Sequence, residues 1–321
     1  MQSEWMLQVS VVWRRMDDVV VSEIQLSVML ATRNGEHVLR RTLEGYVNAQ
    51  LPSAPWELLV IDNGSTDGSV AILESFRSRL PLRVITESRP GKNRALNAGL
   101  EVRRGQLVVL TDDDAVPEKS FLVAWERVLG EHLDIDLFGG RIRPFFEVPP
   151  PRWLLASPHE FALMFGERDL AEGAVDAGEL YGGNMAIRAR VFDAGNRFAE
   201  GIGPDGSDSE YPMGSEVEFC LRVARSGAKS RFNRGPVVDH IVRPSQWTKK
   251  AWIRRAFRSG RGRAYIMYAH KNKISLPKVT WLDLLHMASP FRHQRYRALR
   301  ALHLRRGFDM ERARWDQATT E

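Results

Sequence analysis

Four short runs of apolar, β-branched residues punctuate the first third of the chain: LSVMLAT (26–32), WELLVID (56–62), LRVITE (82–87) and QLVVLTD (106–112). Each is followed by a segment with helical spacing or helix-forming composition, over about 35–49, 67–79, 92–103 and 118–130. Strands that alternate with helices in this way predict βαβ units, and therefore a mainly parallel central sheet flanked by helices. Asp67 and Pro117 stand where helices would begin. Beyond residue 131 the pattern becomes irregular, and EVPPPRW (147–153) reads as a loop. GGNMAIR (182–188) then reads as a strand and SEVEFCLRVARSG (215–227) as a helix stopped by glycine. The fold class is α/β, with no internal repeat.

With 321 residues, 43% of them apolar, the chain can bury a full core. Its single cysteine, Cys220, excludes a disulfide framework and a thiolate metal cage and fits a reducing, cytoplasmic compartment. No apolar stretch approaches the roughly 18 to 20 residues of a membrane span, and the first 20 residues carry acids and arginines where an export signal would be apolar. Charge is divided unevenly. Residues 241–321 hold 19 Lys and Arg against 5 Asp and Glu, a net of +14, whereas residues 1–240 hold 27 against 35, a net of −8. An acidic front part is a poor surface for specific nucleic-acid binding; a basic tail suits phosphates on a nucleotide, a lipid carrier or an anionic membrane.

Ligands of open parallel sheets bind at the carboxyl ends of the strands, and acidic residues fall there repeatedly. Asp62 closes the second strand; Asp112, Asp113 and Asp114 close the fourth. Clustered carboxylates repel and raise one another's pKa unless a cation neutralises them. Mg²⁺ or Mn²⁺ is the economical answer, because such ions take one or two carboxylates and leave positions open for phosphates. If strand geometry persists that far, Asp112 and Asp114 share a side and Asp113 points elsewhere. A solvated turn is the plainer alternative.

Taken in order, LSVMLATRNG, LLVIDNGSTDGS, RPGKNRALNAGL, TDDDAVP, GGNMAIR, GSEVEFCLRVARSG and VVDH resemble the family 2 glycosyltransferases, over about residues 26–245. The resemblance implies a GT-A fold and an inverting, metal-dependent transfer of a sugar from a nucleoside diphosphate donor, with UDP foremost, to an acceptor hydroxyl. By that pattern Asp62 contacts the base, Thr32 and Asn34 line its pocket, and Lys92 and Arg94 face the nucleotide. Asp114 is the first choice of metal ligand, Asp112 contacts ribose or shares the metal, Asp113 is the intervening residue, and His240 lies near metal and diphosphate. Gly182, Gly183 and Asn184 would approach the donor sugar or the acceptor. The family's usual Glu-Asp pair before a helix is here Ser215-Glu216, so Glu216 falls where the catalytic base would be, one methylene longer, with Glu218 as the alternative. Each of these residues also has a plainer role open to it, as turn, cap or helix-start chemistry.

Three units follow: an N-terminal extension (1–25), a catalytic domain (26–245) and a basic helical C-terminal region (246–321). In WTKKAWIRRAFRSGRGRAYIMYAHKNK (247–273), Lys250, Arg254, Arg258 and Arg261 recur at helical spacing as one cationic stripe. The interleaved Trp247, Trp252, Phe257, Tyr265 and Tyr268 either meet a membrane interface or dock the helix on the core. One arginine near 258 to 263, Arg258 first, is a candidate for the donor diphosphate, and Arg292, Arg295 and Arg306 extend the basic surface. The expected enzyme is cytoplasmic, peripheral on an anionic membrane, and acts on a glycan or lipid-linked acceptor in bacterial-type surface glycan assembly. Two alternatives are a nucleotidyltransferase with a carboxylate-bound metal, and an inactive membrane-binding scaffold of the same fold. There is no G-x-x-x-x-G-K-[ST] phosphate loop, no HExxH and no G-x-G-x-x-G after the first strand.

Overall fold

The computed structural model describes residues 24–155, 158–206, 210–271 and 279–318; the expected N-terminal extension falls outside them but for two residues. The elements run β1 (Leu26–Thr32), α1 (Glu36–Val47), β2 (Trp56–Asp62), α2 (Ser69–Phe76), β3 (Leu82–Thr86), α3 (Lys92–Val102), β4 (Leu107–Thr111), β5 (Ala115–Pro117), α4 (Phe121–Glu131) and β6 (Leu137–Phe146). There follow α5 (Arg152–Leu155), α6 (Pro158–Phe165), β7 (Gly173–Ala174), β8 (Asn184–Arg188), α7 (Ala189–Asp193), α8 (Ser215–Arg225), β9 (Ser230–Val242), α9 (Lys249–His270), α10 (Trp281–Met287) and α11 (Arg292–Ala318). The strands form one sheet in the order β3-β2-β1-β4-β8-β6-β9-β5, with β7 against β9. The first four strands pair in parallel, as their pattern predicts; β8 runs antiparallel to β4 and β6, and β5 antiparallel to β9.

Two cores lie on opposite faces of this sheet because successive side chains of a strand point opposite ways. Val28 and Leu30 of β1, Val60 of β2 and Val109 of β4 pack with α1, α2 and α4 on one face. Met29, Leu59, Ile61, Val108 and Leu110 pack with α3 and α8 on the other. Strands covered on both sides need continuous apolar runs, which is what the sequence supplies.

The basic tail is a helical hairpin fastened to this core. Helices α9 and α11 cross at backbone distance: a Cβ on Gly260 would sit 1.9 Å from the Leu304 carbonyl oxygen, and one on Gly307 2.0 Å from that of Phe257. Beside the crossing, Arg261 Nε donates to Glu311 Oε2 at 2.8 Å, and both side chains are buried. The expected single stripe is thus broken, since Arg261 faces inward. The aromatic residues dock the helix: Trp252 Nε1 donates to the Tyr296 carbonyl at 2.9 Å, and Tyr265 and Tyr268 pack on Trp315. Trp247 packs on Phe146 at the end of β6. No helix among the described residues is long and apolar enough to cross a membrane.

Candidate active site

Strand β4 stops at Thr111, and the three aspartates form the turn that leads into β5, with Ala115 N donating to Asp112 O. Strand alternation therefore does not reach them, and each carboxylate takes its own direction. Asp112 Oδ1 accepts from Lys92 Nζ at 2.7 Å, Asp113 Oδ2 accepts from Thr32 Oγ1 at 2.6 Å, and Asp114 Oδ2 lies 3.5 Å from His240 Nε2. Burial and the neighbouring Asp114 push the Asp113 carboxyl up to about 7, against the pull of the Thr32 hydrogen bond. Burial also works to raise Asp114, but the hydrogen bond and charge of His240, with Arg243 and Lys92 behind them, hold it below the usual carboxylate range.

His240 sits opposite Asp114 because β5 pairs with β9 in the register Ala115↔His240. Its Nδ1 lies 2.8 Å from the Phe165 carbonyl, which can only accept, so Nδ1 carries a proton and Nε2 faces the aspartate. Among the described residues no three His, Cys, Asp or Glu side chains converge as a ready-made metal cage. A carboxylate facing an imidazole nitrogen whose partner nitrogen is fixed by a carbonyl does fit a divalent ion that takes its other ligands from phosphate oxygens and water.

Lys92 is the hinge of the site. It opens α3 after Gly91, whose φ of 140° suits glycine and whose N–H donates to Asn63 Oδ1 at 2.7 Å. The same ammonium that meets Asp112 donates to Glu216 Oε1 at 2.8 Å, while Ser215 Oγ donates to Glu216 Oε2 at 2.9 Å. Burial pushes Glu216 up, and the charge and hydrogen bond of Lys92 more than reverse it, leaving the carboxyl below its ordinary value. Glu216 begins α8 and lies against the turn before β8: a Cβ on Gly182 would be 2.4 Å from Glu216 Oε1. Gly183 approaches Asp112, whose Oδ2 would stand 3.4 Å from an added Cβ.

Several expected contacts lie elsewhere. Glu218 is fully buried, accepting from Arg222 Nε at 2.8 Å and pairing with His270 Nε2 at 2.6 Å, so it ties α8 to α9 and does not line the cleft. The Asn184 amide is also buried and donates to the carbonyls of Arg141 and Pro236; it joins β8 to its neighbours and offers the cleft no donor. Thr32 is occupied by Asp113. Arg94 pairs with Glu200 at 2.8 Å and does not approach the aspartates. Arg258 lies over the Tyr211 ring, 4.2 Å from its centroid, outside the cavity lining. Asp62 Oδ1 accepts from Ser65 N at 3.2 Å, closing the turn after β2, while Asn34, at φ 55° just past β1, accepts from Thr66 N at 2.8 Å and holds the β2–α2 loop to the end of β1.

A cavity of about 570 Å³ joins these parts. Asp112, Gly182, Gly183, Glu216 and His240 line it. The sequence did not point to Tyr181, Arg168, Arg255 and Arg300, which also line it; Arg263, within the 258–263 stretch named for the diphosphate, lines it where Arg258 does not. The tail therefore completes the same cleft that the aspartates open.

Known proteins of similar sequence and shape agree with this architecture. Residues 27–195, just over half of the chain, match the model of glycosyl transferase family 2. The chain is 25% identical over 252 residues to a probable glycosyltransferase, YdaM, of Bacillus subtilis, covering 76% of this chain but only 56% of that protein. It is 23% identical over 261 residues to the glycosyltransferase AglE of Haloferax volcanii, covering 81% and 79%. Among solved structures, the mannosyltransferase PcManGT of Pyrobaculum calidifontis, in complex with GDP-Man and Mn²⁺, superposes with a TM-score of 0.56 at 18% identity, covering 94% of this chain and 76% of that one. Staphylococcus aureus TarS in complex with UDP gives 0.53 at 16% identity, covering 92% of both. At such identities the structural likeness speaks for the fold, which is GT-A-like. The family match spans β1 to β8 and takes in Lys92, the aspartate turn and the Gly182–Gly183 pair, and on that evidence the chain belongs to glycosyl transferase family 2.

Proposed function

We propose that the protein is an inverting glycosyltransferase that moves a sugar from a nucleoside diphosphate donor, UDP foremost, to an acceptor hydroxyl, with Glu216 as general base. The observation that carries this reading is the bridge of Lys92 between Asp112 and Glu216. It fixes the Glu216 carboxylate where it lines the cavity, and it keeps that carboxylate ionised. An acceptor hydroxyl attacking the anomeric carbon must lose its proton; of the carboxylates that line the cavity, Asp112 belongs to the aspartate turn and Glu179 pairs with Arg168, which leaves Glu216 to take it. The diphosphate leaves on the opposite side, as inversion requires. Asp114 and His240 would hold Mn²⁺ or Mg²⁺, with Asp112 nearby; a bound cation would stabilise the charge growing on the departing diphosphate. Asp62, Asn34 and the β2–α2 loop form the base side of the donor site.

Family membership weighs against a nucleotidyltransferase. The scaffold alternative is met by the ionised, solvent-reachable Glu216. The basic side chains of α9 and α11 that stay outside the cavity, Lys249, Lys250, Arg254 and Arg306, line a second cleft and support a cytoplasmic enzyme peripheral on an anionic membrane. Since Arg255, Ser259, Arg263 and Arg300 line the same cavity as Glu216, we take 26–245 and the tail as two parts of one catalytic unit.

The test is calorimetric titration of UDP, GDP and dTDP with Mn²⁺ and then with chelator, followed by turnover of Glu216→Gln. One diphosphate should bind tightly and only with metal, and Glu216→Gln should keep that binding while losing about 10²- to 10⁴-fold in kcat. No diphosphate binding, or undiminished turnover of the variant, would overturn the reading.

A further inference from the structure

Helix α9 meets α8 and the chain leading into it along one face. Arg258, Gly262, Ile266 and His270 follow one another at steps of four, which puts them on the same side of the helix. Met213, the residue before the Gly214 cap of α8, donates its N–H to the Arg258 carbonyl at 3.1 Å. A Cβ on Gly262 would stand 1.7 Å from Met213 O and 3.0 Å from Met213 N, so the chain at 213 lies directly on the helix backbone. Ile266 Cδ1 is 3.9 Å from where a Cβ on Gly214 would be. His270 Nε2 pairs with the buried Glu218 at 2.6 Å, and Arg225 Nη1 donates to the His270 carbonyl at 2.7 Å. Glycine inside a helix weakens it relative to alanine; at 262 the close approach of Met213 excludes anything larger.

The segment 212–215 is held from its other side as well. Gly203 N donates to Pro212 O at 2.7 Å, and a Cβ on Gly203 would be 3.2 Å from Ser215 Oγ. The turn around Gly203 is in turn fastened to the start of α3. Lys92 N donates to Pro204 O at 2.8 Å, and Asn93 Nδ2 donates to the carbonyls of Ala199 and Ile202 at 2.6 and 2.8 Å. The result is a stack: α9, then 212–215, then 199–204, then the first turn of α3. Glu216 follows the second layer and Lys92 opens the last, and their side chains meet at 2.8 Å. Only Gly214 and Ser215 separate Met213 from Glu216. Gly214 O already accepts from Glu218 N at 2.9 Å and Ser215 is buried, so a displacement at Met213 has little chain in which to be absorbed.

We propose that Gly262 and His270 are positioning residues for Glu216: the face of α9 that carries them seats the start of α8 where Glu216 meets Lys92. This deepens the proposed function and rests on it for the role of Glu216. Gly262 acts through Met213 and His270 through Glu218, and neither lines the cavity. The tail then has two duties: it walls the cavity, and it holds in place the carboxylate that faces that cavity.

The experiment reads the position of Glu216 and its turnover separately. Titration of the Glu216 carboxyl is followed by NMR in protein isotope-labelled at the glutamate side-chain carboxyl, the signal assigned by its loss in Glu216→Gln. Gly262→Ala should move the midpoint to higher pH, because a carboxyl drawn away from Lys92 keeps its burial and loses the charge that opposes it. Gly260→Ala is the control. It sets a Cβ 1.9 Å from Leu304 O, toward α11, and should lower the melting temperature while leaving the midpoint in place. His270→Leu should shift the midpoint in the same direction by less, and His270→Gln, which can still donate to Glu218, should restore it. In turnover with saturating donor, Gly262→Ala should lower kcat about 10²-fold, the scale of misplacing a reacting group by an ångström, with nucleoside diphosphate affinity kept. A midpoint unmoved in Gly262→Ala, or moved equally by Gly260→Ala, would overturn the inference. If Gly262→Ala does not fold, the variants at His270 decide: a shift in His270→Leu that His270→Gln reverses supports it, and no shift overturns it. Normal turnover of Glu216→Gln would instead overturn the assignment of the base, and the titration would still show whether α9 sets where that carboxylate sits.

Discussion

The ammonium of Lys92 lies 2.8 Å from the carboxylate of Glu216, joining the first turn of α3 to the first turn of α8. Burial raises the Glu216 carboxyl, and the Lys92 charge and hydrogen bond bring it below the ordinary value. A carboxylate held in this way, the base of the proposed reaction, stays ionised to lower pH than a free one. Removing the ammonium leaves the burial uncompensated except by Ser215 and the backbone, so the carboxyl must titrate higher. Lys92→Met should therefore move the acid limb of the kcat/KM profile to higher pH, measured as nucleotide release across a pH series. An acid limb that stays in place would show that Glu216 does not limit the rate.

Asp114 and His240 face each other at 3.5 Å, and the proposed cation would be held between them. Asp114→Asn keeps the shape but removes the charge. It should abolish metal-dependent binding of the nucleoside diphosphate in calorimetry while leaving the circular dichroism spectrum and the melting temperature near wild type. Binding that persists at wild-type strength would place the metal elsewhere.

What could be read from the chain beforehand follows from how local each signal is. The runs at 26–32 and 56–62 form strands over those same residues, because apolar alternation and helix-forming spacing depend on neighbours in sequence. The motifs that carry the family resemblance are local in the same way: Asp112 and Asp114 lie in the turn after β4, Glu216 in the first turn of α8, and His240 near the end of β9. Side-chain direction was less accessible. The stretch WIRRAFRSGRGR carries five arginines at steps that cover most of the helix circumference, so spacing alone picks out a stripe through Arg254, Arg258 and Arg261. The fold instead turns Arg261 to Glu311, Arg258 to Tyr211, and Arg255 and Arg263 to the cavity. Those choices are made by partners tens of residues away. Glu218 and Asn184 were misplaced likewise, since their partners His270 and the Pro236 carbonyl belong to distant elements.

Gly182 leaves room for the Glu216 side chain. A methyl group there would stand 2.4 Å from Glu216 Oε1 and 2.5 Å from its Cγ, so the glutamate must swing away from Lys92. Gly182→Ala should lower kcat by about 10²-fold, the scale of misplacing a reacting group by an ångström, with donor affinity unchanged. A variant of normal turnover, assayed with saturating donor, would show that Glu216 has room to shift without consequence.

The tail's attachment to the core offers a stability test separate from chemistry. Arg261 and Glu311 form an ion pair in which both side chains are almost fully buried, at the point where α9 and α11 cross. Deleting one member of such a pair strands a charge away from water, so Glu311→Ala should cost about 3 to 5 kcal/mol, read from urea unfolding. The pair as a whole is a different matter, since two apolar side chains of similar volume avoid both desolvation penalties. Arg261→Met combined with Glu311→Leu should recover most of the loss, although the Glu210 carbonyl, which accepts from Arg261 Nη1 at 2.7 Å, then goes without that donor. Recovery in the double variant would mean that the pair fixes the register of α9 on α11 more than it stabilises the fold. Equal loss in both would mean that the hydrogen bond to residue 210 matters most, and with it the segment that leads into α8 and Glu216.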